Sequence, residues 1–157
     1  MKRVIILAST LCLIFCVGAC TMKISPPYRN TPVTDAYIFQ DTTALALTAS
    51  YPYFEDETYA PLNAAIAQEV ESWQALYAEI YEQVSEECDK DPVFASLKRY
   101  VEATYTVAST KTEVSVTFDV RYYYGGNNEP AYTKTFTYYL DSGMVYETFT
   151  QTQRVYT

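Results

Sequence analysis

The most constraining feature of this chain is a central stretch in which apolar and polar residues alternate. The apolar positions are Val114, Val116, Phe118, Val120, Tyr122 and Tyr124, and polar residues separate the first five of them. A period of two is that of a β-strand with one buried face. The stretch therefore predicts a strand whose neighbours bury the same side of a sheet.

Similar alternation predicts further strands on both sides of this one. It runs through residues 101–107 and 132–140, and a last strand is predicted at residues 144–149. The connections at residues 109–111, 125–130 and 141–143 are short enough for β-hairpins. Earlier in the chain, residues 37–51 also alternate and are interpreted as one strand that bends near Asp41.

A helical pattern lies between the first strand and the others, from about residue 58 to residue 87. Its apolar stripe consists of Leu62, Ile66, Val70, Trp73, Leu76, Tyr77, Ile80, Tyr81 and Val84. The opposite side carries Glu71, Glu79, Glu82 and Glu86. Asp91-Pro92 then predicts the start of a short helix that ends at Leu97. We expect an α+β fold with two layers, in which one long and one short helix pack on an antiparallel sheet of about 4–5 strands.

Composition excludes several classes of function. The chain has no histidine, so Ser-His-Asp and Cys-His nucleophile pairs and most zinc sites are ruled out. Its net charge of −8 argues against nucleic acid and anionic lipid as partners. Glu102, Glu113, Asp119 and Glu129 show no spacing that indicates glycoside hydrolysis, and no calcium-binding loop is present. We predict no catalytic residues, no metal and no cofactor.

The first twenty residues resemble a bacterial lipoprotein signal. Lys2 and Arg3 precede an apolar run, residues 4–19, that is short for a membrane span. The run ends in Val17-Gly18-Ala19-Cys20, which resembles the lipobox. We therefore expect export, cleavage before Cys20 and lipid attachment to Cys20, with either the inner or the outer membrane as the destination. The alternative is an ordinary cleaved signal peptide followed by a chance cysteine.

These features divide the chain into four parts. Residues 1–19 are the signal peptide, residues 20–36 a proline-containing lipidated tether, residues 37–150 the folded domain and residues 151–157 a tail. The mature chain would carry 9 basic against 19 acidic residues. Cys88 would be its only cysteine without lipid, either as an inert thiol at a helix end or paired between chains.

Several motifs together resemble the PdaC/RsiV-like extracytoplasmic domain over about residues 40–150. They are Tyr51-Pro52, Asn63 near the start of the helix, the tyrosine-rich strand before Gly125-Gly126, and Tyr138-Tyr139-Leu140-Asp141-Ser142-Gly143. Such domains precede some polysaccharide deacetylase domains and occur in anti-sigma factors that bind lysozyme. The resemblance implies an α+β binding module outside the cytoplasm.

This chain departs from the pattern of that family in two ways. Relatives usually follow the glycine pair with Ala-His, whereas this chain has Asn127 and Asn128. Relatives also commonly have a second α/β half after the Asp-x-Gly turn. The resemblance therefore implies neither deacetylase activity nor transmembrane signalling.

The predicted ligand-binding residues lie around the hairpin at residues 125–130. They are Tyr122, Tyr123, Tyr124, Gly125, Gly126, Asn127, Asn128 and Tyr132. Tyrosine offers both ring area and a hydroxyl group, which suits sugars and protein partners. The alternative is a plain turn in which the glycines supply positive φ angles.

Two larger surfaces are further candidates. The sheet face away from the helix is expected to present Arg121, Tyr123, Thr133, Thr135, Thr137 and Tyr139, which also suits an ordinary solvated surface. The acidic side of the helix either attracts a cationic protein or is only solvated.

The expected function is a non-catalytic binding domain on a lipid anchor in the cell envelope. Its ligand would be a cationic, lysozyme-like protein or peptidoglycan. Alternatives are an accessory domain of cell-wall polysaccharide modification and a structural subunit of an envelope assembly.

Overall fold

A computed structural model describes residues 33–42, 44–91, 93, 96–97, 99–126 and 128–155. Its strands are β1 (Val33–Asp41), β2 (Ala46–Phe54), β3 (Tyr100–Ser109), β4 (Glu113–Tyr123), β5 (Asn128–Tyr139) and β6 (Val145–Val155). One turn of 3₁₀ helix, Glu57–Tyr59, leads into the long helix α1, Ala60–Lys90. The predicted signal peptide, Cys20 and most of the tether lie outside the described residues.

The strands of the described region form one open sheet in the order β1-β2-β3-β4-β5-β6. Neighbouring strands are antiparallel except β2 and β3, which are parallel and are connected through α1. The helix packs on one face of the sheet, where a continuous core contains residues from both layers. The expected α+β class with one long helix is therefore confirmed.

The expected count of 4–5 strands is wrong, because the described part of the chain contains six. Residues 37–51 were expected as one bent strand, but they belong to the antiparallel pair β1 and β2. A threonine makes the turn: Thr42 Oγ1 accepts hydrogen bonds from the amides of Ala44 and Leu45, and it donates one to the carbonyl of Leu45. The side chain thus provides the turn without glycine or proline.

The predicted short helix after α1 is matched only in part, since several of its residues lie outside the described ones. Asp91 Oδ1 accepts a hydrogen bond from the Val93 amide at 2.8 Å, as expected of a residue that caps a helix. The Ser96 amide donates to the Val93 carbonyl at 3.1 Å. Val93 is helical and Ser96 lies in a turn, so the described residues match the predicted short helix in part.

The predicted apolar stripe of α1 is the side that faces the sheet. Its buried members are Leu62, Ile66, Val70, Trp73, Ile80 and Val84. Tyr81, which was placed on this stripe, is 40% exposed. Glu69 is buried on the same side, although it is charged.

The core is centred on β4, where Val116, Phe118 and Val120 are fully buried. The Phe118 ring lies 5.1 Å from the ring of Trp73 on α1, in an edge-to-face arrangement. Phe136 of β5 makes a similar contact with Phe118 at 6.2 Å. Because these rings face the helix, the alternate residues of β4 and β5 face the other way.

Asn63 joins the start of α1 to the end of β2. Its Oδ1 accepts a hydrogen bond from the Phe54 amide at 3.1 Å, and its Nδ2 donates to the Phe54 carbonyl at 2.8 Å. One side chain therefore satisfies both backbone groups of a residue at the end of its strand.

Candidate binding face

The face of the sheet away from α1 carries rows of hydroxyl groups across its central strands, and we call it the open face. Ser115 Oγ lies 3.1 Å from Thr137 Oγ1, and Thr117 Oγ1 lies 2.9 Å from Thr135 Oγ1. Thr133 donates a hydrogen bond to Asp119 Oδ1 at 2.9 Å. The strand register accounts for these contacts, because it places the members of each pair directly opposite one another.

The hydroxyl rows continue onto β6. Thr148 is opposite Thr135, and Thr150 is opposite Thr133. On the other side of β4, Thr104 and Thr106 of β3 are exposed on the same face. The open face therefore presents short polar side chains on four adjacent strands.

Tyrosine pairs lie at two ends of these rows. The rings of Tyr100 and Tyr123 are 6.2 Å apart, and those of Tyr139 and Tyr146 are 5.4 Å apart in an edge-to-face arrangement. The Tyr123 hydroxyl donates to the Gly126 carbonyl at 3.1 Å, which fixes the ring against the following turn. These pairs add aromatic surface to a hydroxyl-rich face.

Charged side chains beside the first tyrosine pair are joined to partners. Arg121 forms an ion pair with Glu102, and this carboxylate is the main cause that raises the pKa of Arg121. Glu129 is almost completely buried and accepts a hydrogen bond from the Tyr100 hydroxyl. These contacts hold the side chains in place and leave hydroxyl groups and rings as the groups most available to a ligand.

The eight residues predicted to bind ligand do not share one surface. Tyr123 lies on the open face, whereas Tyr122 and Tyr132 lie on the side of the helix. Tyr124 follows β4, and its ring is on the same side as that of Tyr122. The rings of Tyr122 and Tyr124 stack at 6.4 Å, and burial raises the pKa of Tyr122.

The turn between β4 and β5 supplies the other predicted residues. Gly125 and Gly126 have φ angles of 123° and 82°, as expected of glycines in a tight turn. Asn127 lies outside the described residues, and Asn128 begins β5 opposite Val155. The turn therefore has a clear structural role.

Tyr132 belongs to a polar network under the helix. Its hydroxyl donates to Glu69 Oε1 at 2.8 Å, and Trp73 Nε1 donates to the same oxygen at 2.8 Å. Burial, followed by the bond to Glu69, raises the pKa of Tyr132. Glu69 was missed in the sequence, where an acidic residue at stripe spacing was the only available signal.

The acidic side of α1 is exposed as expected. Glu71, Glu79, Glu82 and Glu86 all face solvent. Lys90 pairs with Glu86 at 2.9 Å. The side therefore keeps a strong negative charge.

The remaining features are a cysteine near the end of α1 and the absence, among the described residues, of a metal site and of a membrane-spanning helix. Cys88 is half-buried in the last turns of α1 and accepts a hydrogen bond from Arg99 at 3.4 Å. Within the described ranges, no group of three or more acidic or cysteine side chains is arranged to hold a metal ion. Nor does any helix there have the length and apolar character needed to cross a membrane.

Comparison with protein-family models and with curated proteins finds no match to this chain.

Proposed function

We propose that this protein is an envelope lipoprotein that binds a cell-wall glycan on its open face without chemical turnover. The observation that carries the proposal is the set of hydroxyl rows between the Tyr100–Tyr123 and Tyr139–Tyr146 pairs. Sugars present hydroxyl groups on their rims and C–H groups on their faces. Threonine hydroxyls and tyrosine rings match these two kinds of group.

The dimensions of the face favour a polymer over a single sugar. The strands of a sheet are about 4.8 Å apart, and side chains on one face repeat about every 6.7 Å along a strand. Hydroxyl groups on several strands therefore form a grid that is wider than one ring. An extended glycan can contact several of its positions at once.

The sequence resemblance to PdaC/RsiV-like domains supports the same proposal. It rests on Tyr51-Pro52, Asn63, the tyrosine-rich strand before Gly125-Gly126 and the stretch from Tyr138 to Gly143. As an extracytoplasmic module of this kind, the domain would meet the cell wall at the membrane surface. Lipid on Cys20 would hold it there, because two or more acyl chains give stable attachment.

The anchor is tested by Cys20→Ser. We expect this variant to move from the membrane fraction to the soluble fraction of the envelope. Continued retention in the membrane fraction would contradict the lipoprotein assignment.

Glycan binding is tested with the soluble Cys20→Ser protein and insoluble peptidoglycan. We expect co-sedimentation that Tyr123→Ala weakens and Tyr124→Ala leaves unchanged. Tyr124 is a matched control, because it is 41% exposed, adjacent in sequence and stacked on Tyr122, away from the open face. Equal binding by both variants, or no binding by the parent protein, would reject the open face as the site.

The hydroxyl rows have a test of their own. Thr117→Val/Thr135→Val removes two hydroxyl groups that bond to each other, and the shape of the side chains is kept. Because both partners are replaced, folding should change little. Weaker glycan binding is expected, and unchanged binding would leave the tyrosines alone as the site.

A second candidate ligand is a cationic protein of the lysozyme type. The exposed acidic side of α1 favours it, with Glu71, Glu79, Glu82 and Glu86. Binding of this kind should weaken steeply as salt rises, whereas contacts between rings and sugars should not. Glu79→Gln/Glu82→Gln should reduce lysozyme binding while peptidoglycan binding stays unchanged.

A further inference from the structure

The outer edge of β6 is open in the described part of the chain. β6 is the last strand of the sheet, and among the described residues no strand pairs with its outer side. It is 11 residues long, so a row of backbone amides and carbonyls is available to another strand.

The middle of β6 lacks the features that usually protect such an edge, and the charges of β6, Glu147 and Arg154, lie on either side of it. Residues 148–153 read Thr-Phe-Thr-Gln-Thr-Gln, with no charge, proline or glycine. The opposite edge strand, β1, has two charges of the same sign, Asp35 and Asp41, whereas the two charges of β6 are of opposite sign. Charges on edge strands discourage pairing with other chains. The β6 edge therefore repels a second copy less than the β1 edge does, which makes β6 the better candidate for pairing.

Phe149 adds an apolar group to this edge. It lies on the helix side of β6, where its ring is 5.3 Å from the ring of Tyr132, yet it is 56% exposed. A strand placed beside β6 would cover more of the Phe149 ring.

We propose that β6 pairs antiparallel with β6 of a second copy of this chain, around a two-fold axis perpendicular to the sheet. This symmetry keeps the open faces of both copies on the same side, so the two sheets become continuous. If Thr150 lies opposite its own copy, Thr148 lies opposite Thr152. Threonine would then face threonine across the interface, as Thr117 faces Thr135 within one chain.

The occupant is a second copy because the edge is complementary to itself. No like charges meet between residues 148 and 153, and the pairs on the open face are all threonine. On the helix side, Phe149 lies opposite Gln151 and Gln151 opposite Phe149. Dimerisation would double the width of the open face, and it does not depend on which ligand that face binds.

The first experiment measures the mass of the full chain in mild detergent by sedimentation velocity. We expect a dimer that Thr148→Lys/Thr150→Lys converts to monomer, because like charges then meet across the edge and weaken self-association by about tenfold or more. Thr104→Lys/Thr106→Lys is the matched control. It makes the same change at exposed positions of the same face, but on an interior strand, and it should remain dimeric.

The second experiment uses cysteine in place of Thr148, Thr150 or Thr152, one at a time. Directly opposite residues of antiparallel strands have Cα atoms about 4.5–5.5 Å apart, within the range of a disulfide. We expect one of the three variants to form a disulfide-linked dimer under oxidising conditions, beyond any formed by the unsubstituted chain. Thr104→Cys should form none.

Three results would overturn the proposal. They are a monomeric unsubstituted chain at its highest soluble concentration, a dimer that survives the lysines on β6, and a β6 edge that pairs only with another protein.

Discussion

Glu69 Oε2 lies 2.8 Å from Lys134 Nζ, and the side chain of Glu69 is only 3% exposed. This ion pair joins the first half of α1 to β5 at the margin of the core. Glu147 on β6 lies 3.1 Å from the same ammonium group. Because Tyr132 of β5 also donates to Glu69, the rotation of the helix about its axis is fixed by polar contacts as well as by its apolar stripe.

Loss of Lys134 should therefore be costly. Lys134→Met leaves the Glu69 carboxylate buried without its cation, and we expect the free energy of unfolding to fall by about 3–5 kcal/mol. Urea unfolding followed by the fluorescence of Trp73, the single tryptophan, measures this change. The double variant Glu69→Gln/Lys134→Met should recover most of the loss, and equal losses in both variants would contradict the importance of the charge.

Stability should decrease in alkaline solution. Burial raises the pKa of both Tyr132 and Tyr105 above the ordinary value of 10.0, and hydrogen bonds to Glu69 and Asp35 add to the two shifts. Above about pH 10 the unfolded chain loses these protons before the folded one does, so the free energy of unfolding falls as pH rises.

Deprotonation of Lys134 should also lower the free energy of unfolding in alkaline solution. Burial lowers its pKa, but the contacts with Glu69 and Glu147 raise it by more, to a value above 10.5. The stabilisation by the charged Lys134 is complete below about pH 10.5, and it is lost as pH rises through the pKa of Lys134 in the folded protein.

Urea unfolding at about pH 7 and about pH 11, followed by circular dichroism, tests the alkaline effect. Tyr132→Phe and Tyr105→Phe should each reduce the difference between the two conditions. Tyr53→Phe is the control, because Tyr53 is 52% exposed. The explanation is wrong if all three variants behave alike.

Asn63 should be required for the junction of β2 and α1. Asn63→Ala leaves the amide and the carbonyl of Phe54 without their partner in a partly buried place, and we expect a loss of about 2 kcal/mol. Asn63→Asp should also destabilise, because it keeps the acceptor for the amide but places an oxygen against the carbonyl. Thermal unfolding measures both variants. Gln68→Ala is the control at an exposed position of the same helix, and a loss there as large as that of Asn63→Ala would contradict a role for the Phe54 contacts.

Substitution of the two turn glycines, Gly125 and Gly126, should lower stability by different amounts. Gly125 at φ 123° lies outside the left-handed helical region, and Gly126 at φ 82° lies near it. Neither has an atom close enough to clash with an added Cβ, so only backbone strain matters. We expect Gly126→Asn to lower thermal stability only slightly and Gly125→Asn to cost about 1–2 kcal/mol. The reverse order would contradict this account.

Local patterns predict much of this fold. The spacing of Ile66, Trp73 and Ile80 is enough to place the helix, since a period of 3.6 residues requires no knowledge of the partner surface. The alternation in β4 likewise places Tyr123 on the face opposite Tyr122. Closeness in the chain nevertheless predicts one site for both tyrosines, whereas their parity places them on opposite faces.

Long-range contacts explain what the sequence could not reveal. The burial of Glu69 depends on Lys134 and Tyr132, which come from a strand far along the chain. The split between β1 and β2 depends on the Thr42 hydroxyl, and threonine is common within strands as well as in turns. The open β6 edge becomes visible only once the strand order is known.

The parallel contact between β2 and β3 has a consequence for folding kinetics. It consists of four residue pairs, Ala46 to Ala49 against Tyr100 to Ala103, and the whole of α1 separates its strands in the chain. The hairpins on either side close over short loops, whereas this contact must wait for a long loop to close. We therefore expect it to form last and to open first, so that hydrogen exchange at Ala46, whose amide donates to the Arg99 carbonyl at 3.1 Å, would report on its transient opening.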